Sequence, residues 1–269
     1  MAESDKARHS REAEFFDGFY AENATTYDPR VLERYRRLSA RGLYSKEYRI
    51  AQVGDLTGRR VADIGCGAGE NAVLLALLGA HVTGLDVSPV AVEKAKALAA
   101  SAGVSDRVDV RVQSFEDFEA GEGAFDVVWV DAFLHHMLPV LDATMVSLVK
   151  LLKPGGLMVI AEPIRLSGLA RSIRPLVPIP VDATPDERPL QDEELALIGR
   201  HLEIVATRRF NGVARVGLRA LVAKGYEEAA GWRRALCDAS AYADRVLLSL
   251  PGLGRFLAGG IAVVARKRP

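Results

Sequence analysis

The stretch Arg59–Asp86, RRVADIGCGAGENAVLLALLGAHVTGLD, limits the fold more than any other part of the chain. Val61–Ile64 has the length of a buried strand and is apolar except for Asp63. It runs into Gly65-Cys66-Gly67-Ala68-Gly69, and Ala72–Leu78 is then apolar at helical density. Strand, glycine-rich turn and helix open a nucleotide-binding βαβ unit. Glycine is required because the chain turns sharply and a ligand must approach the backbone with no Cβ in the way. The second strand, His81–Leu85, ends on Asp86, placed to accept hydrogen bonds from a ribose diol.

The glycine spacing is G-x-G-x-G rather than the G-x-G-x-x-G of a dinucleotide site. A carboxylate inside the first strand, Asp63, disfavours a pyrophosphate and suits a ligand with a cationic amino group. Val61–Gly69 followed by Leu85-Asp86 resembles motifs I and II of the class I S-adenosylmethionine (SAM) methyltransferases. That resemblance implies a doubly wound α/β fold, Rossmann-like, with a seven-stranded, mostly parallel sheet whose strand 7 is antiparallel. It also implies N-terminal helices, helical insertions, SAM as cofactor and S-adenosyl-L-homocysteine as product. A nicotinamide-dependent oxidoreductase on a related sheet is the alternative from another class.

Hydrophobic residues make up 49% of the 269 residues and charged ones 26%, the balance of an ordinary globular chain. Basic and acidic residues both number 35, so no global positive field exists and no nucleic-acid partner is expected. Cys66 and Cys237 form neither a disulfide framework nor a zinc pattern. The charged N-terminus lacks the apolar core of a secretory signal, so a cytoplasmic location is expected.

Taken in order, residues 1–56 read as an N-terminal helical cover, with Phe15, Phe16, Phe19, Tyr20, Val31, Leu32, Tyr35 and Leu38 at helical spacing. A break is expected near Asp28-Pro29. In the resembling family such helices close the cofactor site, which makes Tyr20 and Tyr27 candidates to line it. Residues 57–269 then form the SAM-binding domain. Ser88 is the expected N-cap and Pro89 the first residue of the next helix, which Gly103 stops. Arg107–Gln113 is the third strand. Phe125–Val130, apolar throughout apart from Asp126, reads as a central fourth strand. A helix over Leu138–Leu152 leads to the turn Lys153–Gly156 and the fifth strand Leu157–Glu162. The Leu-Leu-Lys-Pro-Gly-Gly run is a second resemblance to the family, and together these features cover about 60–165.

Two insertions are expected, at about 163–200 and 211–258. The first carries Pro163, Pro175, Pro178, Pro180, Pro185 and Pro189, too many for a regular sheet, and also Arg165, Arg171 and Arg174. Asp192–His201 resumes as helix and Glu203–Phe210 as the sixth strand; Ile261–Ala265 is the seventh. Val246–Ala265 is broken by Pro251, Arg255 and four glycines, so no membrane span is expected. Peripheral contact with a lipid surface stays open.

Methyl transfer needs alignment and exclusion of water more than acid–base chemistry, because a sulfonium is already a good leaving group. By resemblance, Asp63 and Gly65 face the methionine end, Gly67 allows close approach and Asp86 holds the ribose. Ser114 and Phe115 border the adenine, Ser114 standing where the family commonly has an acid. Cys66 in the glycine turn, Val87 after Asp86 and Asp131 at the end of the fourth strand complete the expected cofactor set. For a base, His135 and His136 follow the fourth strand beside the expected methyl position, with Glu162 as a further candidate. No metal is expected, since the Asp-Asp-Asn constellation of catechol-type enzymes is missing. The lack of Asn/Asp-Pro-Pro-Tyr after the fourth strand argues against amino-methylation of adenine or glutamine. The expected activity is methylation of a small-molecule acceptor, at oxygen first, as in the similar ubiquinone-biosynthesis and natural-product O-methyltransferases. A lipid or protein acceptor, or non-methylating use of the SAM site, are the alternatives. Acceptor identity and oligomeric state are not legible.

Overall fold

The computed structural model describes residues 2–38, 41–165, 188–212, 225–250 and 252–269. Pro175, Pro178, Pro180, Pro185, Arg171 and Arg174 of the first expected insertion lie outside the described residues, as do 213–224 of the second.

Seven strands form one sheet: β1 (Arg60–Ile64), β2 (His81–Asp86), β3 (Val108–Val112), β4 (Phe125–Asp131), β5 (Leu152–Pro163), β6 (Glu203–Phe210) and β7 (Gly260–Arg266). Their order is β3-β2-β1-β4-β5-β7-β6. The first five pair in parallel and β7 runs antiparallel between β5 and β6, the sheet expected of the resembling family. The Lys-Pro-Gly-Gly run does not precede the fifth strand but lies within it. Phe125 pairs with Leu152 and Val127 with Leu157, so the intervening residues bulge, and Gly155 adopts φ +74° there.

Three helices precede the sheet, α1 (Ala2–Tyr20), α2 (Pro29–Leu38) and α3 (Ser45–Val53). Then α4 (Glu70–Leu77) and α5 (Pro89–Ser101) follow β1 and β2, and α6 (Leu141–Leu151) follows β4. A 3-10 turn, Leu138–Val140, occupies the start of the helix expected over Leu138–Leu152, and another, Leu134–His136, precedes it. The last three described helices are α7 (Asp192–His201), α8 (Gly231–Leu247) and α9 (Leu253–Leu257). Each sheet face has its own apolar layer. One joins Ile64, Met145, Leu148 and Ile160; the other joins Leu74, Leu75, Val92, Val110 and Trp129. Strands covered on both faces are why β1 and β4 read as near-continuous apolar runs.

Gly69 starts α4 with φ +81°, and an alanine Cβ there would stand 2.6 Å from the Ala95 Cβ and 2.9 Å from its Cα. The clash is with α5 backbone, which cannot rotate away. Left-handed strain and overpacking together set the expected cost of Gly69→Ala at about 3 kcal/mol, readable as a lower urea midpoint.

The N-terminal segment is strapped along α5. Asp17 accepts from Val90 N (3.2 Å) and from the Ser88 hydroxyl. Further along, Lys94 donates to the Asn23 carbonyl (3.3 Å) and Tyr27 N to the Ser101 hydroxyl (2.8 Å). Ser88 also caps α5, accepting from Ala91 N at 3.0 Å, as its position before Pro89 predicts. At the opposite edge, fully buried Glu47 accepts from Arg34 (3.2 Å) and Arg41 (3.3 Å). Arg34 lies over the Tyr226 ring at 4.1 Å and the Tyr44 ring at 4.9 Å. Asp238 on α8 accepts from Tyr44 (2.9 Å) and Arg41 (2.9 Å), which ties α8 to α3.

Candidate active site

The carboxyl ends of β1, β2, β4 and β5 meet the N-terminal segment around a cavity of about 600 Å³, within the range of small-molecule sites. Its glycine floor is shaped by what packs on it. A Cβ on Gly65 (φ +68°) would stand 3.0 Å from the Phe133 ring, and one on Gly67 (φ +52°) 2.5 Å from the Tyr20 hydroxyl. Gly84 on β2 lacks a Cβ for a matching reason: one there would stand 2.7 Å from Val110 Cγ1 and 3.0 Å from the Cys66 sulfur. Both oxygens of Asp86 hold this turn. One accepts from Gly67 N (2.8 Å), the other from Ser88 N (2.9 Å). Burial raises the Asp86 carboxyl, partly offset by these amides. Burial, then the nearby Asp86, likewise pushes the Tyr20 hydroxyl above its ordinary value.

Beside the turn lies a charged network that the sequence reading missed in part. Arg49 on α3, only 3% exposed, stacks over Trp129 at 4.7 Å and donates to Asp131 at 2.8 Å. Asn71 on α4 donates to the same oxygen at 3.1 Å. Burial acts to raise the Asp131 carboxyl, but Arg49, Lys46 and these hydrogen bonds outweigh it and hold it low. Asp63 is 1% exposed, and neither of its oxygens has a hydrogen-bond partner among the described residues; the same holds for Nη1 of Arg49. Buried polar atoms without partners are rare and mark where a ligand would supply them. An orphaned carboxylate beside an orphaned guanidinium nitrogen fits a zwitterionic amino-acid group, the methionine end of SAM. Arg49 gave little signal in the sequence, since an arginine in a charged helix reads as a surface residue.

Burial, then the neighbouring Asp131, raises the Asp63 carboxyl to about 7. An unfolded aspartate ionises near ~4, so the folded protein binds this proton more tightly. Its contribution to stability is complete below about 4 and lost as pH rises through about 7. Asp63→Asn should therefore gain several degrees in Tm over the wild type at pH 8, with the gap closing at pH 4.

At the end of β4, Ala132 adopts φ +56°, and the backbone turns into Phe133–His136. Glu162, buried at the end of β5, clamps this turn. Oε1 accepts from Phe133 N (2.9 Å) and Leu134 N (2.7 Å), and Oε2 contacts His135 Nδ1 at 2.8 Å. Oε2 is placed to accept from Nδ1, and in the tautomer that carries its proton there Nε2 is left as an acceptor. His136 packs its ring 4.1 Å from His135 and 5.6 Å from Phe16 of α1.

Of the predicted residues, Gly65, Asp86, Val87, Phe115, Asp131, His135 and His136 line the cavity, with Tyr20. Asp63, Cys66 and Gly67 are outside the lining, in β1 and the turn that carries Gly65. The Ser114 hydroxyl is turned to Asp117 (2.7 Å), and Gln113 and Glu116 line the wall beside Phe115 instead. Tyr27 is outside the lining. Among the described residues no group of three or more His, Cys, Asp or Glu is arranged to hold a metal ion. Nor is any described helix long and apolar enough to cross a membrane.

Strand order, antiparallel β7, the glycine turn and the acid ending β2 together define a class I SAM-dependent methyltransferase fold. Residues 61–156 match the family described as a methyltransferase domain, and this part of the chain is a class I SAM-dependent methyltransferase domain. SAM and S-adenosylhomocysteine binding is implied by that family. Over 103 residues the chain is 43% identical to the ubiquinone biosynthesis O-methyltransferase of Xanthomonas euvesicatoria pv. vesicatoria (strain 85-10), covering 38% of this chain and 42% of the relative. The match thus spans less than half the relative's length. The crystal structure of the (4+2)-cyclase SpnF is similar at 25% identity and a TM-score of 0.53, covering 79% of this chain and 75% of that one. Geranyl diphosphate C-methyltransferase from Streptomyces coelicolor A3(2) shares the fold at 17% identity and a TM-score of 0.57, covering 92% and 85%.

Proposed function

We propose that this protein transfers the methyl group of SAM to a hydroxyl of a small-molecule acceptor, with His135 as general base and Glu162 as its positioning residue. The observation that carries the reading is the Glu162–His135 contact of 2.8 Å, set in the wall of the cavity that Asp86 also lines. SAM, when bound, supplies an electrophilic methyl on a sulfonium. Asp63 and Arg49 would hold the amino and carboxylate groups of its methionine end, Asp86 the ribose, and Phe115 the adenine face. Tyr20, Phe16 and Phe19 from α1 would keep water from the reacting centre.

His135 Nε2 would take the hydroxyl proton as the acceptor oxygen attacks. Glu162, in contact with Nδ1, would stabilise the imidazolium so formed. Such help matters for a hydroxyl and much less for a thiol or neutral amine, which favours oxygen as the atom methylated. The name of the 43%-identical relative supports the same choice. A second reading keeps the SAM site but uses it without methyl transfer, and the likeness to a cyclase favours weighing it.

Calorimetric titration with S-adenosylhomocysteine, with NADH as control, tests the cofactor side. Micromolar binding of the former alone is expected. Binding of NADH alone would move the chain to the oxidoreductases.

A further inference from the structure

We infer that the outer face of α8 docks this protein onto an anionic lipid surface. The inference rests on the geometry of that helix and is independent of the reaction proposed above. Cys237, Ala241 and Asp244 bury one face of α8, with Leu248 just beyond its end. On the opposite side Trp232, Leu236, Tyr242 and Val246 are exposed, with Leu250 past the end; Trp232 is 63% exposed and Tyr242 61%. At about 100° per residue these five fall within an arc of roughly 120°. A stripe of tryptophan, tyrosine and aliphatic side chains along ~25 Å of helix is the composition of an interfacial helix, aromatic at the polar boundary and aliphatic below it.

The charges of α8 are sorted as a lipid surface requires. Both acids face inward, Asp238 onto Tyr44 and Arg41, and Asp244 onto Gly212 N at 2.9 Å. The outward charges are all arginine. Arg233 flanks the stripe on one side, stacked on Trp232 at 5.3 Å; exposed Arg245 flanks it on the other, with Nη1 donating to the Arg41 carbonyl at 3.1 Å and the rest of its guanidinium edge left to a phosphate. Long guanidinium side chains beside an apolar stripe reach lipid phosphates while the stripe enters the acyl boundary. A second copy of this chain would bring arginine against arginine, since the helix shows no outward acid. The buried side of α8, not the docking face, adjoins the cavity: Gly212, which donates to Asp244, follows the cavity-lining Asn211.

The chain's two tryptophans make the test direct, because Trp129 is 1% exposed in the core and only Trp232 can respond. The full chain would be mixed with phosphatidylcholine vesicles and with vesicles one-third phosphatidylglycerol. Expected are a blue shift of Trp232 emission and co-sedimentation with the anionic vesicles, both weakened by salt. Trp232→Ser with Leu236→Ser should lower partitioning at least about tenfold. Arg233→Gln with Arg245→Gln should lower it about thirtyfold and remove the salt dependence. Circular dichroism should be unchanged in both variants, since all four side chains are on the surface. Failure to bind anionic vesicles, or binding that survives the Trp232/Leu236 change, would overturn the inference. So would a Trp232 shift that follows protein concentration without vesicles, which would assign the face to a second copy.

Discussion

His135→Ala should reduce kcat toward a hydroxyl acceptor by about 10²- to 10⁴-fold, the span of a lost general base. Affinity for S-adenosylhomocysteine should change little, because the Asp86 turn and the Arg49 network do not touch the imidazole. Glu162→Gln separates positioning from catalysis. The amide oxygen of glutamine can still accept from Phe133 N and Leu134 N, so the turn should keep its shape. Its amide nitrogen would then donate toward His135 Nδ1, and the ring would have to carry its proton on Nε2, where the base is needed. A fall in kcat of about 10²-fold or more, with Tm and cofactor affinity near wild type, is the expected signature. Single-turnover kinetics would check it. Equal loss of Tm and kcat would mean that Glu162 serves only the fold.

Asp86→Ala should weaken S-adenosylhomocysteine binding by about a hundredfold or more. Two losses combine. The carboxylate would no longer accept from a ribose, a charge-assisted contact worth about 1.5–3 kcal/mol. Gly67 N and Ser88 N would also lose the acceptor that holds the glycine turn to the start of α5. Asp86→Asn distinguishes the two. Its single carbonyl oxygen can serve one amide while its NH₂ faces the other donor, so the turn should stay partly ordered. Binding is then expected between that of Asp86→Ala and the wild type. Calorimetry on the three proteins, with thermal melts alongside, checks the order.

The fold was legible where a short motif has one structural solution. Gly65, Gly67 and Gly69 with Asp86 admit little else, and the apolar runs of β1 and β4 announced their place in the middle of the sheet. The antiparallel slot of β7 came only through family resemblance, since Ile261–Ala265 has no feature that states its direction. Long-range polar pairs were invisible. Arg49 and Asn71 meet on Asp131 from helices 82 and 60 residues earlier in the sequence, and no local pattern encodes such a meeting. From sequence Glu162 is only a further candidate base, because its three hydrogen bonds depend on β5 running beside β4. Position alone puts Ser114 at the adenine, whereas the local Ser114–Asp117 turn claims its hydroxyl, a competition typical of serine in loops.

Incubation with SAM labelled in its methyl group, against a panel of hydroxylated acceptors and their amine and thiol counterparts, tests the central claim most directly. Label is expected in an O-methyl product, inhibited by S-adenosylhomocysteine and largely lost in His135→Ala. Tight binding of S-adenosylhomocysteine with no label transferred to any acceptor would contradict it. The domain would then be one that holds SAM for other chemistry.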